Sequence, residues 1–326
     1  VQLTAEAESW RLAAAFTISR GTKTHAQPVV ATLSDGGQRG RGECVPYARY
    51  GETIESVLQQ IEGLRPAIEA GRLDRQGLQS LLPAGAARNA LDCAFWDLEA
   101  KRAGRPAWAL AGLAEPGPVT TAYTLSLDTP EKMGRQAAAN ATRPLLKLKL
   151  AGPEDLERVR AVRANALAST IVVDANEGWT VEHYNRLAPA LKDLGVAMIE
   201  QPFPAGEDAV LHDLERPVPL CADESCHDAS TLDGLVGKYD IVNLKLDKTG
   251  GLTEGLKLKA RAAELGFELM VGCMVATSLA MAPALLLAQG AKVVDLDGPL
   301  LLAEDREPPL RFEGSTVFPA EPALWG

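Results

Sequence analysis

The sequence predicts an α/β barrel of eight parallel strands preceded by a smaller α+β unit, and three observations carry that expectation. From about Thr120 onward the chain breaks into eight short apolar runs, each closing on a polar or acidic tip that leads into a helical stretch. The tips Lys149, Asp174, Glu200, Asp223 and Lys245 follow one another at 25, 26, 23 and 22 residues, about the length that one strand, one helix and two short loops require. An open doubly wound sheet usually carries a Gly-rich phosphate turn after its first strand, and none follows the first run here, so a closed barrel is favoured.

In chain order, residues 29–33 and 40–44 flank Ser34-Asp35-Gly36-Gly37, which reads as a hairpin turn. Gly37, Gly40 and Gly42 stand in that hairpin, the wrong context for a nucleotide-binding fingerprint. Ile54, Val57, Leu58 and Ile61 then recur at helical spacing, and a second helix carries Ala87, Ala90, Leu91, Ala94 and Leu98 before Gly104 and Pro106 stop it. The eight runs are 122–125, 145–150, 171–173, 196–199, 218–222, 241–246, 267–271 and 293–296. Between them Leu187, Leu191 and Leu194, and again Leu256, Ala260 and Ala263, keep the spacing of a helix face. Past Leu300 the chain has four prolines and no periodicity, and is expected to run back over the first unit. The expected divisions are residues 1–117, 118–300 and 301–326.

A length of 326 residues suffices for one barrel-sized domain plus a companion, and 46% hydrophobic against 23% charged residues excludes disorder. A net charge of -10 with no basic run argues against a nucleic-acid or anionic-membrane partner, both of which select clustered Lys and Arg. The start of the chain lacks a charged segment leading into a long apolar stretch, and no run of about 18 apolar residues occurs, so a cytoplasmic protein is expected. The five cysteines, Cys44, Cys93, Cys221, Cys226 and Cys273, are scattered without zinc-site or disulfide-framework spacing, and are expected to be reduced and mostly buried.

In such a barrel the C-terminal strand ends converge on one site. Successive tips offer Lys147 and Lys149, Asp174 and Asn176, Glu200, Asp223 and Glu224, Lys245, and finally Asp295 and Asp297. Any one acid alone could be a solvated loop residue or a helix cap. Three on consecutive strands repel one another unless a cation stands between them, and oxygen-only ligation selects Mg²⁺ before Mn²⁺ or Ca²⁺. Strand alternation sends Lys147 and Lys149 the same way, into the barrel. Lys149 and Lys245 flank the acids by one strand on either side. Neighbouring cations and burial are expected to lower these amines, so that one can act as a base while the ion stabilises an enolate. His25, His183, His212 and His227 all avoid the tips, so a histidine proton shuttle is not expected.

The set Lys-Leu-Lys (147–149), Val-Asp-Ala-Asn (173–176), Ile-Glu-Gln-Pro (199–202), Ala-Asp-Glu-Ser (222–225) and Asn-Leu-Lys (243–245) resembles the muconate-lactonizing subgroup of the enolase superfamily, in order and spacing and over nearly the whole chain. A lysine base with Mg²⁺ beside an enolic intermediate is the general scheme of enolase-type sites. The resemblance implies a modified (β/α)₇β TIM-like barrel with an N-terminal α+β capping domain. It implies one Mg²⁺, or Mn²⁺, on Asp174, Glu200 and Asp223, with Asn176 and Glu224 behind them. Lys149 and Lys245 would be the acid/base pair and Lys147 electrostatic support. Leu91, Trp96, Asp97 and Lys101 resemble the family's capping-domain helix.

Asp295-Leu296-Asp297 resembles the paired aspartates with which dipeptide epimerases hold the substrate's free ammonium, and two carboxylates at one strand end do form an anionic socket. Ser19-Arg20-Gly21 and the stretch 42–52 resemble the substrate-covering loops of epimerases acting on Ala-Glu dipeptides, where Arg20 would grip a side-chain carboxylate. Thr124 is placed with the substrate-binding residues. The implied reaction is a 1,1-proton transfer at the α-carbon of the C-terminal residue of an L-Ala-D/L-Glu type dipeptide, of the murein-peptide kind, through an enediolate. The expected partner is that small dipeptide, and a homo-oligomer is compatible. The same scaffold also serves cycloisomerisation or o-succinylbenzoate-type dehydration, and Lys245 on an ordinary barrel could be a Schiff-base aldolase residue. A metal-binding homologue without catalysis leaves both lysines unexplained.

Overall fold

The computed structural model describes residues 1–326. In the N-terminal unit, strands β1 (Gln2–Ala7), β2 (Trp10–Ile18), β3 (Gly21–Ala26), β4 (Val29–Asp35) and β5 (Gln38–Cys44) precede helices α1 (Ile54–Glu69), α2 (Arg75–Leu81) and α3 (Ala86–Ala103). The hairpin of β4 and β5 forms where the sequence places it, with Asp35 opposite Gln38 and both Gly36 and Gly37 at positive φ. β1 pairs with β4, and β2 and β3 make a separate two-stranded ribbon. Thr53 and Ser56 form a capping box at the start of α1, and α3 ends where Gly104 turns left-handed. α3 is buried along most of its length. β5 lies on it so closely that a Cβ on Gly40 would fall 2.3 Å from Ala94 O, and one on Gly42 2.1 Å from Ala90 O. These glycines serve packing rather than phosphate binding.

A short helix, α4 (Ala107–Leu110), and strand β6 (Val119–Thr120) lead to the barrel. Its strands are β7 (Tyr123–Leu125), β8 (Leu145–Lys149), β9 (Thr170–Asp174), β10 (Val196–Glu200), β11 (Leu220–Ala222), β12 (Ile241–Leu244), β13 (Glu268–Gly272) and β14 (Val293–Asp295). They form one parallel sheet in sequential order. The Ala122 N–H donates to Val294 O at 2.7 Å, which brings the last strand back to the first. Helices α5 (Pro130–Ala139), α6 (Asp155–Asn165) and α7 (Val181–Asp193) follow the first three strands; α8 (Leu246–Thr249) and α9 (Leu252–Glu264) follow β12, and α10 (Ser278–Ala288) follows β13.

One expectation needs correction. After β10 and β11 the helical stretches are only 3-10 turns, at Asp208–His212 and Ala229–Leu235. These are the two shortest repeats, and Pro202, Pro204, Pro217 and Pro219 interrupt the first, each lacking the N–H an α-helix needs. α9 forms where the spacing of Leu256, Ala260 and Ala263 places a helix; it buries Leu252, Thr253, Gly255, Leu258 and Ala262, with Leu256 partly buried against the core. At Gly255 a Cβ would lie 2.7 Å from Leu287 Cδ1 of α10, so the two helices pack closely there.

The strand period of two builds the barrel interior in layers. Val172, Met198, Cys221, Ile241, Met270 and Val293 form an apolar floor. Two residues further along the same strands stand Asp174, Glu200, Asp223, Asn243, Gly272 and Asp295. The outer strand faces join a larger core with the helices. After Leu301 the chain passes along the N-terminal unit, where Ala303 N–H donates to Arg11 O at 2.8 Å and Trp325 Nε1 to Cys93 O at 3.1 Å. On the way β15 (Phe312–Glu313) and β16 (Thr316–Val317) pair with β6. No helix is long and apolar enough to cross a membrane.

The contact of β5 with α3 is backbone on backbone and cannot yield by rotating a side chain. Gly42→Ala is therefore expected to lower the unfolding free energy by about 2–3 kcal/mol, read from urea denaturation midpoints; an unchanged midpoint would contradict the packing role.

Candidate active site

The layer above the apolar floor is a ring of charge. One oxygen each of Asp174, Glu200 and Asp223 lies within 4.8 Å of the other two, and all three residues are buried. β8, β9 and β10 run in register, with Lys149 opposite Asp174 and Asp174 opposite Glu200. Lys149 Nζ lies 2.6 Å from Asp174 Oδ2, and Lys245 Nζ lies 2.7 Å from Asp223 Oδ2. The two amines thus meet the outer members of the triad, with Glu200 between. Lys147 Nζ sits deeper, 2.6 Å from Glu200 Oε2, 2.8 Å from Asp295 Oδ2 and 3.4 Å from Asp174 Oδ2. Lys147 and Lys149 point into the barrel together, as strand alternation requires.

Burial raises the Asp174 carboxyl, but the Lys149 and Lys147 ammoniums outweigh it and hold it at about 2. Asp223 is likewise held well below the ordinary carboxylate range, since Lys245 and Lys248 overcome its burial. Glu200 goes the other way: burial and the neighbouring Asp174 raise it despite Lys147. Among the protein's own groups, the balance at Lys245 and Lys147 runs upward rather than down. Burial does pull Lys245 and Lys147 down, but Asp223 and Glu200 around the first, and Asp295 and Glu200 around the second, raise both amines well above the usual lysine value. The cations next to the lysines are outnumbered by carboxylates.

The residues fit a divalent ion. Glu224 Oε2 and Asn176 Oδ1 are buried acceptors without a hydrogen-bond donor, and Glu200 Oε2 has only the Lys147 ammonium, at 2.6 Å. Buried acceptors are ordinarily satisfied, and a hard cation is what oxygen-only groups lacking donors accommodate. Glu224 is raised to about 7 by burial and by Asp223 and Asp174.

Across the cavity Asp297 Oδ2 accepts the Thr124 N–H at 2.6 Å, and Thr124 Oγ1 reaches Asp295 Oδ1 at 3.5 Å. Leu296 N–H donates to Thr121 Oγ1 at 2.8 Å, so the chain between the two acids is fixed to the β6–β7 connection. Asp295 is the counter-ion of Lys147, whereas Asp297 has no cation partner and is raised to about 7 by burial and by Asp295. A cavity of about 1120 Å³ joins Lys149, Asp223, Lys245, Asp295, Asp297 and Arg20. It continues under the β2–β3 ribbon.

Two segments of the N-terminal unit cover it. Arg20, at the ribbon turn, donates to Glu224 Oε1 at 2.8 Å, Tyr47 OH at 2.6 Å, Asn176 O at 3.2 Å and Glu177 Oε2 at 3.2 Å. Arg49, in the turn Ala48–Tyr50, grips Glu177 through Nε at 2.8 Å and Nη2 at 2.7 Å. Glu177 therefore fastens both covering segments to the loop after β9. Of the histidines, His25 of the β2–β3 ribbon lines the cavity, and the His227 ring lies 5.1 Å from that of Tyr50. Cys273 alone among the cysteines is not fully buried, and all five are free.

A barrel whose strand ends gather three carboxylates between lysines, closed by a capping unit, defines the enolase class. Residues 1–112 match the N-terminal domain of mandelate racemase / muconate lactonizing enzyme, and residues 132–321 match the enolase C-terminal domain-like family. The chain belongs to this family of the enolase superfamily, and it is an isomerase. It is 48% identical to L-Ala-D/L-Glu epimerase of Escherichia coli, over 94% of this chain and 95% of that one. It is 46% identical to N-acetyl-D-glutamate racemase of a Pseudoalteromonas species, over 91% and 95%. Among solved structures, an enolase family member from Agrobacterium tumefaciens with homology to dipeptide epimerases, holding sodium and L-Ala-L-Glu with an ordered loop, superposes at a TM-score of 0.97. That pair is 54% identical over 99% of each chain. The dipeptide epimerase of Enterococcus faecalis, complexed with Mg and L-Leu-L-Tyr, superposes at 0.90 with 29% identity over 98% of this chain and 97% of that one.

Sequence reading missed several residues that the fold brings to the site. Lys248 is fully buried with its amine on Asp223, and Gln201 Oε1 accepts the Asp223 N–H at 2.9 Å. Lys248 had one legible signal, a second lysine three residues after the Lys245 tip and just before Thr249-Gly250-Gly251. Glu177 had none, because its partners lie 128 and 157 residues away. The Arg49–Glu177 pair is partly exposed and contributes at most about 1 kcal/mol to global stability. Arg49→Met is accordingly expected to leave the melting temperature nearly unchanged while amide exchange at residues 47–52 speeds up; unchanged exchange there would show that the pair does not hold the segment.

Proposed function

We propose that the protein is a Mg²⁺-dependent dipeptide epimerase that moves the α-proton of the C-terminal residue of an Ala-Glu type dipeptide between Lys149 and Lys245. The observation that carries this reading is the placement of those two amines at opposite ends of the carboxylate triad, with Asp297 facing them across one cavity. Asp174, Glu200 and Asp223 would hold the ion, which when bound supplies positive charge for a substrate carboxylate and the enediolate it becomes. One lysine, neutral, takes the α-proton as the C–H electron pair moves into the carboxylate. The other, an ammonium, returns a proton to the opposite face. Lys147 adds fixed positive charge beside Glu200 and neutralises Asp295, which leaves Asp297 as the anionic partner for the dipeptide's ammonium. Thr124 fixes Asp297 through its backbone N–H. Arg20 lies over the cavity, where a substrate side-chain carboxylate would share its fork with Glu224 and Glu177.

The relatives named above are epimerases and a racemase, which disfavours the cycloisomerase and dehydratase alternatives. A second reading, racemisation of N-acetylglutamate, is favoured only by the relative of that name. Such a substrate has no ammonium for Asp297. Assaying L-Ala-L-Glu against N-acetyl-D-glutamate separates the two readings, and a preference for the acylated amino acid would overturn the dipeptide proposal.

In D₂O the α-position of L-Ala-L-Glu should gain deuterium, and EDTA should stop it. Lys149→Ala and Lys245→Ala should each slow epimerisation by about 10²–10⁴-fold, the usual contribution of a positioned acid or base; a normal rate in either variant would end the two-base mechanism.

Asp297 gives a pH signature. Its carboxyl is raised to about 7, so it holds a proton below that pH and becomes an anion above it. KM for the dipeptide should fall as pH rises through about 7, until the substrate amine loses its own proton near pH 8. Asp297→Asn should raise KM about ten- to a hundredfold, the range of a charge-assisted hydrogen bond, and flatten that limb; an unaltered profile would remove Asp297 from ammonium binding.

A further inference from the structure

Each carboxylate of the triad has one oxygen held from behind by a donor that the proton transfer does not use. The Asn176 backbone N–H donates to Asp174 Oδ1 at 2.9 Å. The Asn243 side-chain amide donates to Glu200 Oε1 at 2.8 Å, and the Lys248 ammonium to Asp223 Oδ1 at 2.7 Å. The remaining oxygen of each faces the lysines: Asp174 Oδ2 meets Lys149, Glu200 Oε2 meets Lys147, and Asp223 Oδ2 meets Lys245.

Lys248 is the one charged member of this outer set. It is fully buried, and its other two contacts are the carbonyls of Asp223 at 2.6 Å and Asn243 at 2.8 Å. Three acceptors match its three N–H bonds, so it has no hydrogen left to exchange with substrate. It does not line the cavity. Its contacts also join β11 to β12, tying the two residues it touches to each other. Gln201 Oε1 holds the Asp223 N–H from the β10 side, so neither the backbone nor the side chain of Asp223 is free to turn.

We propose that Lys248 and Asn243 are positioning residues that limit Asp223 and Glu200 to one available oxygen each, and so set the site for a small ion over a large one. This role rests on the reading that the triad binds a divalent cation. Mg²⁺ demands near-octahedral, one-oxygen contacts, whereas Ca²⁺ accepts more oxygens and takes carboxylates through both. Releasing Asp223 Oδ1 or Glu200 Oε1 would add the second oxygen that Ca²⁺ uses. Outer donors of this kind change metal affinity by about 10–100-fold when removed.

The test is calorimetric titration of Mg²⁺ and of Ca²⁺ into the full chain, wild type, Lys248→Met and Asn243→Ala, with circular dichroism to establish folding. The Mg²⁺-over-Ca²⁺ preference should fall at least tenfold in either folded variant. A structural defect alone would weaken both ions together, so a preference unchanged within twofold would overturn the proposal while leaving the metal reading intact. Failure of the wild type to bind either ion would overturn both. Crystals of the wild type with Mg²⁺ supply a readout that needs no variant: single-oxygen contacts from Asp223 and Glu200 are expected, and a two-oxygen contact from either would refute it.

Discussion

Three carboxylates buried within 4.8 Å of one another repel by roughly 3 kcal/mol per pair even at an effective dielectric of about 20. The interior tolerates them because Lys147, Lys149, Lys245 and Lys248 stand among them at ion-pair distance. Much of the architecture serves to keep that balance in place. The lysines need strands to deliver them at fixed heights, the acids need neighbouring strands in register, and the apolar floor beneath excludes water from the lower side. A shift of one residue in any strand would turn its charge out of the barrel and leave an unpaired ion behind.

The same balance explains why the capping unit is docked so firmly. α3 lies against the segment that follows Lys245: Arg88 donates to Thr249 O at 2.7 Å, Asp92 accepts the Thr253 N–H at 2.9 Å, and Asn89 and the Val45 N–H both bond Asp247 at 2.9 Å. The chain immediately after Lys245 is therefore held by the domain that supplies the cavity's cover. At the other edge, buried Glu43 of β5 accepts from Thr277 at the start of α10 and from Arg306 of the returning segment. Cover and barrel meet through buried polar contacts at both edges, while the covering turns themselves rest on the more exposed Arg20 and Arg49 pairs with Glu177.

The legible part of the structure was whatever repeats locally. Eight apolar runs at a near-constant interval gave a parallel barrel because a strand-helix unit has a fixed length. Lys-Leu-Lys announced two inward amines because a strand side chain returns to the same face every second residue. Local pattern also misled. Proline-rich stretches after β10 removed a helix that the repeat suggested. The acidities of Lys147 and Lys245 were not legible for a related reason: they depend on which charges lie nearby, and that set exists only after the ring closes.

By itself, the order of residues determined the strand count, the inward charge at each tip and the chemical class of the site, since these follow from short-range periodicity and from side chains that are costly to bury alone. Only the folded chain decided that Lys147 neutralises Asp295 and leaves Asp297 free, that Lys248 and Asn243 stand behind the acids, and that Glu177 fastens the cover. Those relations join residues 43 to 157 positions apart in most cases, and a contact between distant segments has no period in the sequence from which to read it.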